Sequence, residues 1–266
     1  MIPNVVHFIY FNGPNSREFG YLNYLSVRTA HEVQQPDALF MYYNIEPVGN
    51  PHWERMKQYA TLVQVDPPKE FMGVELQYVQ YQADVVRLQK LLEHGGIYLD
   101  TDILMLKPLT PFMDRKCVMG GEGYVDHAQD LHTADASKIG SVSNAVIMAE
   151  PDCPFIREWL EALPQGLKSG VWAYHAVTLP FELYKADPGR FDLQKVECFV
   201  PFDFRNAYIF GNNSADLLKL KDSHTVHMWE TIWGNELRQI DDAYLSAKDN
   251  LFAQLFGKYA EAPCLQ

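Results

Sequence analysis

Two aspartates separated by one threonine, Asp100 and Asp102, directly follow an apolar stretch in the sequence GGIYLDTD. Side chains two residues apart on a strand point to the same face, which would place these carboxylates about 7 Å apart. Two such carboxylates raise each other's pKa, and a divalent cation removes the repulsion. Mg²⁺ and Mn²⁺ prefer oxygen ligands and are usually held by carboxylates together with substrate phosphates. The pair predicts a metal site for a diphosphate, with a solvated turn as the alternative.

The elements before this pair predict a parallel sheet. A helix is expected over residues 75–93, because apolar residues recur at helical spacing and Gly95-Gly96 end it. Strands are expected at 5–11, 39–43, 62–65 and 97–100, and further helices at 21–33 and 52–59. This alternation is typical of a doubly wound α/β sheet, whose ligands bind beyond the carboxyl ends of the strands. Asp100 and Asp102 would lie at that edge.

The pattern is less regular after residue 111. Strands are expected at 144–149, 195–200 and 225–229, helices at 154–163, 170–184 and 236–259, and a loop at 120–140. No stretch has the composition of a linker, so residues 1–266 are expected to form one domain.

Composition restricts the class of protein. The chain has 266 residues, of which 47% are hydrophobic, and 34 acidic against 22 basic residues give a net charge of -12. This balance argues against a nucleic-acid partner, which requires lysine and arginine. The four cysteines form no C-x-x-C pair, and neither a signal peptide nor an 18-residue apolar run is present. A cytoplasmic protein without a transmembrane anchor is expected.

The stretch ADVVRLQKLLEHGGIYLDTDILMLKPL, residues 83–109, resembles the DXD-containing sugar-binding region of glycosyltransferase family 32, and the clostridial glucosylating toxins carry a similar block. Residues 2–13, the tripeptide at 143–145 and VHMWETIW at 226–233 resemble further segments of that family in the same order. The resemblance implies a GT-A fold, with a Rossmann-like, mostly parallel sheet flanked by helices. It assigns residues 1–110 to nucleotide-sugar binding, and residues 111–266 to the acceptor side and a C-terminal helix.

The resemblance also implies the ligands of a metal and of the sugar. Asp102 would ligate Mn²⁺ or Mg²⁺ directly, and Asp100 would reach the metal through water or contact the donor. Asp84 and Arg87, three residues apart on one helix face, would hold the sugar hydroxyls and the phosphate region, with a helix-surface ion pair as the alternative. His227 would complete the metal site, and His224 is the alternative for that role.

Five further residues are candidates for donor or acceptor contacts, each with a structural alternative. Tyr10 would stack on the nucleotide base or belong to the core. Tyr98 would line the site or belong to the core, and Asn144 would contact sugar or acceptor or cap a strand edge. Trp229 and Trp233 would close over the donor or pack against a C-terminal helix.

The resemblance implies a retaining glycosyltransferase that moves a hexose from a UDP- or GDP-linked sugar to a saccharide or glycolipid hydroxyl. Such a reaction needs no enzyme nucleophile, and the sequence offers no convincing nucleophile and base pair. Glu122, Asp126 and Asp130 are candidates for acceptor contact.

Two other functions are compatible with parts of the pattern. A catalytically weak, carbohydrate-binding descendant of a transferase is the first. A phosphatase of the haloacid-dehalogenase type is the second, but its D-x-D motif belongs on the first strand and requires Thr or Val where this chain has Leu104. The aromatic and aliphatic residues of 244–259 would touch a membrane glycolipid or, as their spacing favours, pack on the core.

Overall fold

The computed structural model describes residues 1–13, 16–124, 139–205, 208–211 and 220–261. Its strands are β1 Val5–Tyr10, β2 Ala38–Tyr43, β3 Thr61–Gln64, β4 Glu70–Phe71, β5 Val74–Glu75, β6 Gly96–Leu99, β7 Ile103–Met105, β8 Cys117–Tyr124, β9 Ile139–Ala149, β10 Asp192–Gln194 and β11 Thr225–His227. Its α-helices are α1 Tyr21–Thr29, α2 Pro51–Met56, α3 Val79–His94, α4 Pro154–Lys168, α5 Leu179–Ala186, α6 Val196–Phe199, α7 Glu230–Leu237, α8 Asp242–Ala247 and α9 Leu251–Phe256. Two π-helical turns, Ala30–Gln34 and Tyr174–Thr178, adjoin α1 and α5.

A seven-stranded sheet in the order β10-β8-β9-β6-β1-β2-β3 forms the centre of the described chain. The pairs β1–β2, β2–β3, β1–β6 and β8–β10 are parallel, whereas β9 runs antiparallel to both β6 and β8. The predicted α/β sheet, mostly parallel and flanked by helices, is therefore confirmed. The carboxyl ends of β1, β2 and β6 meet at one edge, where the first half of the chain was expected to bind its ligand.

The sheet separates two hydrophobic clusters because successive strand residues point to opposite faces. On β6, Ile97 and Leu99 are buried in the cluster that includes α1, and Tyr98 is buried in the cluster that includes α3 and α4. All three side chains are almost fully buried. Tyr98 thereby faces the helix that carries Asp84 and Arg87.

The turn after β6 differs from the prediction. Asp100 and Asp102 do not continue the strand, because β6 ends at Leu99 and the N–H of Ile103 donates to the carbonyl of Asp100 at 3.0 Å. Alternation along a strand was therefore the wrong reason to place the two carboxylates together. A tight turn brings them to the same place instead.

Three predictions for the second half were also wrong. Residues 195–200 are not a strand, since the short helix α6 occupies them and β10 precedes it. The expected helix over 236–259 is broken into pieces that end at Leu237, Ala247 and Phe256. The loop expected at 120–140 is strand at both ends, in β8 and β9, and Asp126 and Asp130 lie outside the described residues.

The C-terminal segment contributes apolar side chains to the interior. Leu251, Phe252, Phe256 and Tyr259 are all buried. These four side chains therefore pack on the core and are not exposed toward a lipid surface. Within the described ranges, every helix is too short or too polar to cross a bilayer.

Candidate active site

The candidate site is built on the turn that joins β6 to β7. Before β6, Gly95 and Gly96 adopt positive φ angles of 64° and 106°, and a Cβ on Gly96 would lie 2.4 Å from the carbonyl oxygen of Val5. Glycine is therefore required where α3 turns into the strand. After β6, the N–H of Asp100 donates to the carbonyl of Ala145 at 2.9 Å, which fixes the start of the acidic turn against β9.

Strand β11 brings His227 to this turn from more than a hundred residues later in the chain. It pairs antiparallel with β7 so that His227 lies opposite Ile103. Met228 N–H donates to the carbonyl of Asp102 at 3.0 Å, and Glu230 N–H donates to Asp102 Oδ2 at 2.9 Å. A backbone ladder thus fixes the imidazole beside the aspartate.

Asp100, Asp102 and His227 form a candidate metal centre. One ligand atom from each of the three lies within 4.8 Å of the others. The Nδ1 atom of His227 is buried without a hydrogen-bond partner in the described structure. Two carboxylates and an imidazole are a donor set that suits Mn²⁺ and related divalent ions, so the residues fit the predicted cation.

Opposing effects act on the pKa values of these three groups. Burial raises the pKa of Asp100 above its ordinary value, although the Arg87 guanidinium opposes this shift. Burial alone would also raise the pKa of Asp102, but the charge and hydrogen bond of His227 hold it below its ordinary value. Burial alone would lower the pKa of His227, whereas Asp102 raises it above the ordinary value. The cation-free centre therefore favours a proton on the imidazole.

Two more carboxyl groups adjoin this centre. Burial, and then the charge of Asp102, raises the pKa of Glu230 to about 7. Its carboxylate accepts a hydrogen bond from Asn23 Nδ2 at 3.2 Å. Burial also raises the pKa of Glu122, a residue of β8. The site is consequently rich in acidic groups, and the positive charge of Arg87 compensates those on one side of it.

Asp84 and Arg87 form a buried ion pair next to the acidic turn. Arg87 Nη2 lies 3.0 Å from Asp84 Oδ1 and 3.3 Å from Asp100 Oδ1. Asp84 and Arg87 are each 6% exposed, so the alternative of a helix-surface ion pair is wrong. The guanidinium therefore connects the α3 carboxylate with the candidate metal centre.

Tyr98 and Asn144 complete this network. Tyr98 is fully buried below the guanidinium, whose central carbon lies 4.4 Å from the ring centroid, and its hydroxyl donates to Asp100 Oδ1 at 2.6 Å. Asn144 accepts from Arg87 Nη1 through its carbonyl at 2.8 Å and donates from Nδ2 to Asp84 Oδ1 at 3.2 Å. The structure thus brings seven of the predicted residues into one connected cluster: Asp84, Arg87, Tyr98, Asp100, Asp102, Asn144 and His227.

The other predicted residues lie around this cluster. The Trp229 ring contacts His227, with 4.1 Å between centroids, and its indole N–H donates to the carbonyl of Phe202. Trp233 is 4% exposed, and its indole N–H donates to the carbonyl of Phe204, so its ring packs in the protein interior. His224 faces away, since its Nδ1 lies 2.7 Å from the carbonyl oxygen of Pro108.

Tyr10 lies at the carboxyl end of β1, mostly buried against other aromatic rings. Its ring meets Phe19 edge-on at 5.2 Å, and its hydroxyl donates to the carbonyl of Arg17 at 2.8 Å. It borders a cavity of about 410 Å³ whose lining comes from the ends of β1 and β2. The cavity is lined by Tyr10, Asn12, Ser16, Arg17, Glu18, Pro47, Val48, Gly49, Asn50 and Pro51.

The sequence analysis missed two residues of the site, His175 and Glu230. His175 Nε2 lies 2.8 Å from Asp84 Oδ2, and the residue belongs to a π-helical turn far from any motif. No spacing in the sequence connects it with Asp84. Glu230 lies inside VHMWETIW, and the hydrogen bond from its N–H to Asp102 depends on the left-handed backbone of Trp229, with φ 46°.

Comparisons with known proteins find similar sequences. Residues 22–119 match the model of the family described as "Glycosyltransferase sugar-binding region containing DXD motif". The chain is 26% identical over 262 residues to "Glucan organizing enzyme 1" of Cryptococcus neoformans var. grubii serotype A (strain H99), covering 96% of this chain and 70% of that protein. It is 20% identical over 200 residues to the "Alpha-1,4-N-acetylglucosaminyltransferase" of Homo sapiens, covering 70% of this chain and 52% of that enzyme.

A solved structure shows the fold. The galactosyltransferase LgtC, in complex with donor and acceptor sugar analogs, superposes with a TM-score of 0.51 and 13% identity over 98% of both chains. The similarity to this enzyme confirms the predicted GT-A fold. The chain is a glycosyltransferase with the GT-A fold, and its residues 22–119 match the DXD-containing sugar-binding region.

Proposed function

We propose that the protein is a retaining, metal-dependent glycosyltransferase that moves a hexose from a UDP- or GDP-linked donor to a hydroxyl of a saccharide or glycolipid. The proposal depends on one observation above all. Asp100, Asp102 and His227 converge within 4.8 Å beside the buried guanidinium of Arg87. A divalent cation and a guanidinium at one place are the groups that stabilise a departing diphosphate.

In this proposal Asp102 and His227 hold Mn²⁺ or Mg²⁺ directly, and Asp100 contributes either directly or through water. The bound cation supplies Lewis-acid stabilisation of the charge on the diphosphate leaving group. Arg87 adds a fixed positive charge beside Asp100, held there by Tyr98 and Asn144. Because its position is fixed before substrate arrives, this charge needs no reorganisation during the reaction.

Asp84 would accept hydrogen bonds from hydroxyls of the donor sugar. Three protein donors already reach its carboxylate, from Arg87, Asn144 and His175, and a carboxylate has room for about four. The remaining lone-pair direction is available to one sugar hydroxyl. Asp84 is therefore a positioning group for the sugar rather than a nucleophile.

The donor nucleoside would occupy the cavity beside Tyr10 at the ends of β1 and β2. Ligands of such sheets bind beyond the carboxyl ends of the strands, and the cavity has the size of a nucleoside site. Because Tyr10 packs against Phe19 and is 8% exposed, only a small part of its side chain would contact the base. Trp229, which contacts His227, would close over the diphosphate.

Retention is what the resemblance to glycosyltransferase family 32 implies, and the proposed mechanism achieves it without an enzyme nucleophile. The acceptor hydroxyl attacks from the face that the diphosphate leaves, and a phosphate oxygen takes its proton. The C1–O bond to the diphosphate breaks as the new C1–O bond forms, so the diphosphate departs with the bonding electron pair. The residues named above orient the donor and exclude water, and Glu122 remains a candidate for acceptor contact.

The names of two relatives support the proposed chemistry. The human relative transfers N-acetylglucosamine by its name, and the fungal relative is named for glucan. A hexose or N-acetylhexosamine donor and a glycan acceptor are consistent with both. The buried free thiols of Cys117, Cys153 and Cys198 are consistent with action in the cytoplasm, with peripheral contact to a membrane if the acceptor is a glycolipid.

A thermal-shift screen of UDP- and GDP-sugars, each with and without Mn²⁺, tests the proposal, because a true donor stabilises the native state by mass action. The best donor is then assayed for hydrolysis, and the anomer of the released sugar is read by NMR. We expect Mn²⁺-dependent hydrolysis that Asp102→Asn abolishes and the exposed control Asp114→Asn leaves intact. A folded Asp102→Asn variant with undiminished turnover would contradict the metal assignment, and a carbohydrate-binding protein would bind glycans but hydrolyse no donor.

A further inference from the structure

We propose that His175 is a positioning residue for the sugar-binding carboxylate, because it holds Asp84 in the orientation that the donor requires. The inference rests on the proposed function of Asp84. No motif of the sequence includes His175, and the contact exists only because the fold brings two distant segments together. The two residues are separated by 91 positions in the chain.

The contact completes a clamp around one carboxylate. His175 Nε2 lies 2.8 Å from Asp84 Oδ2, and the Arg87 and Asn144 donors reach Oδ1 on the other side. Donors on both oxygens fix the rotation of the carboxylate about its bond to Cβ. Without His175, Oδ2 would lose its protein donor among the described residues, and the carboxylate could turn toward the guanidinium.

The fold holds the imidazole as firmly as it holds the carboxylate. His175 is fully buried, and the indole N–H of Trp159 donates to its backbone carbonyl at 2.8 Å. The ring of Tyr81 meets the imidazole edge-on, with 4.5 Å between centroids. Gly166 of α4 lies directly against it, since a Cβ there would come within 2.7 Å of the Cβ of His175. These contacts leave the imidazole little freedom to move relative to Asp84.

The geometry also assigns the tautomer. A carboxylate only accepts hydrogen bonds, so His175 Nε2, which faces it, must carry a proton. The other nitrogen, Nδ1, is buried and has no partner in the part of the chain that the structure describes. A buried nitrogen without a hydrogen-bond partner is unfavourable, and a leucine at this position would not carry that penalty. The presence of an imidazole at this buried position is best explained by its function as a hydrogen-bond donor to Asp84.

A matched pair of substitutions separates positioning from packing. His175→Gln keeps an N–H donor at a similar reach, and His175→Leu keeps a similar volume without the donor. We expect the kcat/KM for Mn²⁺-dependent donor hydrolysis to fall about tenfold or more in His175→Leu and to stay within about threefold in His175→Gln, since misplacing a sugar-positioning group by about 1 Å costs up to a hundredfold. Most of the loss should appear in kcat.

His7 provides the control, because it is also fully buried and hydrogen-bonded but lies beside the far end of α3. Its Nε2 lies 2.9 Å from the carbonyl of Gly95, and its ring stacks on His94, ten residues or about 15 Å along the helix from Asp84. His7→Leu should lower the melting temperature and leave kcat/KM unchanged. A His175→Leu variant that keeps the wild-type kcat/KM, or a His175→Gln variant as impaired as His175→Leu, would overturn the inference.

A second measurement needs no activity. A long-range ¹H–¹⁵N NMR spectrum of the histidines, assigned by the signal missing in His175→Gln, should show the Nε2–H tautomer for His175. The Nδ1–H tautomer would overturn the inference, because Nε2 would then be an acceptor facing a carboxylate. If the wild-type chain hydrolyses no donor, the proposed function fails, while this spectrum still decides whether His175 holds Asp84.

Discussion

His227 Nε2 lies 3.4 Å from Oδ2 of Asp102, so a proton and a metal ion compete for the same place. Asp102 raises the pKa of His227 despite the opposing effect of burial, and His227 lowers the pKa of Asp102. The cation-free centre is therefore an internal ion pair. A divalent cation that takes both ligands must displace the imidazole proton.

We expect the affinity for Mn²⁺ to increase with pH for this reason. Protonated His227 predominates below its raised pKa, so Mn²⁺ binding releases a proton there and weakens as the pH falls. Isothermal titration calorimetry at several pH values, in buffers of different ionisation enthalpy, measures both the affinity and the proton release. His227→Asn should weaken binding and flatten its pH dependence, and an unchanged pH profile in this variant would contradict the assignment.

Loss of the central guanidinium should destabilise the fold strongly. Arg87→Met leaves the buried carboxylates of Asp84 and Asp100 without their shared cation, and breaking a buried pair in this way costs about 3–5 kcal/mol. Urea unfolding measures the difference. Lys90→Met is the control on the same helix, because its partner Glu93 is exposed and such pairs contribute less than about 1 kcal/mol.

Gly166→Ala should impair catalysis without touching the site. The added methyl group would meet the Cβ of His175 at 2.7 Å, so the π-helical turn has to shift and carry the imidazole away from Asp84. We expect kcat/KM for donor hydrolysis to fall by at least threefold. Gly257→Ala, at a helical glycine where the nearest atom would be 3.4 Å from the new Cβ, should leave kcat/KM unchanged. Equal activity of both variants would show that the turn absorbs the methyl group locally.

His7 should make stability depend on pH below neutrality. Burial lowers the pKa of His7 to about 4, whereas its unfolded value is near 6.5. The unfolded chain therefore binds the extra proton first, and up to about 3 kcal/mol of stability is lost as the pH falls from about 6.5 to 4. The unfolding free energy of His7→Gln, measured by urea titration across this range, should fall less than that of the wild type. The exposed control His31→Gln should follow the wild type.

The sequence was sufficient to predict a mostly parallel sheet with Asp100 and Asp102 at its edge. Both features depend on local signals, namely apolar runs, the Gly95-Gly96 pair and a motif whose residues are close in the chain. The places of Asp84, Asn144 and His227 near this pair were expected only from the resemblance to a known family. The acidic turn was nevertheless placed on a strand, because the hydrogen bond that bends it, from Ile103 to Asp100, is not visible in a pattern of residue types.

His175 and the breaks in the C-terminal segment were not predictable for a different reason. The contact of His175 with Asp84 depends on how α4 and the π-helical turn pack against α3, which is a long-range property. Asp241 and Asn250 directly precede α8 and α9, and their side chains cap these new helices. Helical periodicity alone does not reveal such caps inside a longer apolar pattern.

The antiparallel pair of β7 and β11 has a consequence for the timing of biosynthesis. Because the imidazole of the candidate metal centre arrives on β11, a growing chain that has emerged only as far as Asp102 has both acidic ligands but not the third. A nascent chain would thus be unable to form the three-ligand centre until β11 had left the ribosome and paired with β7.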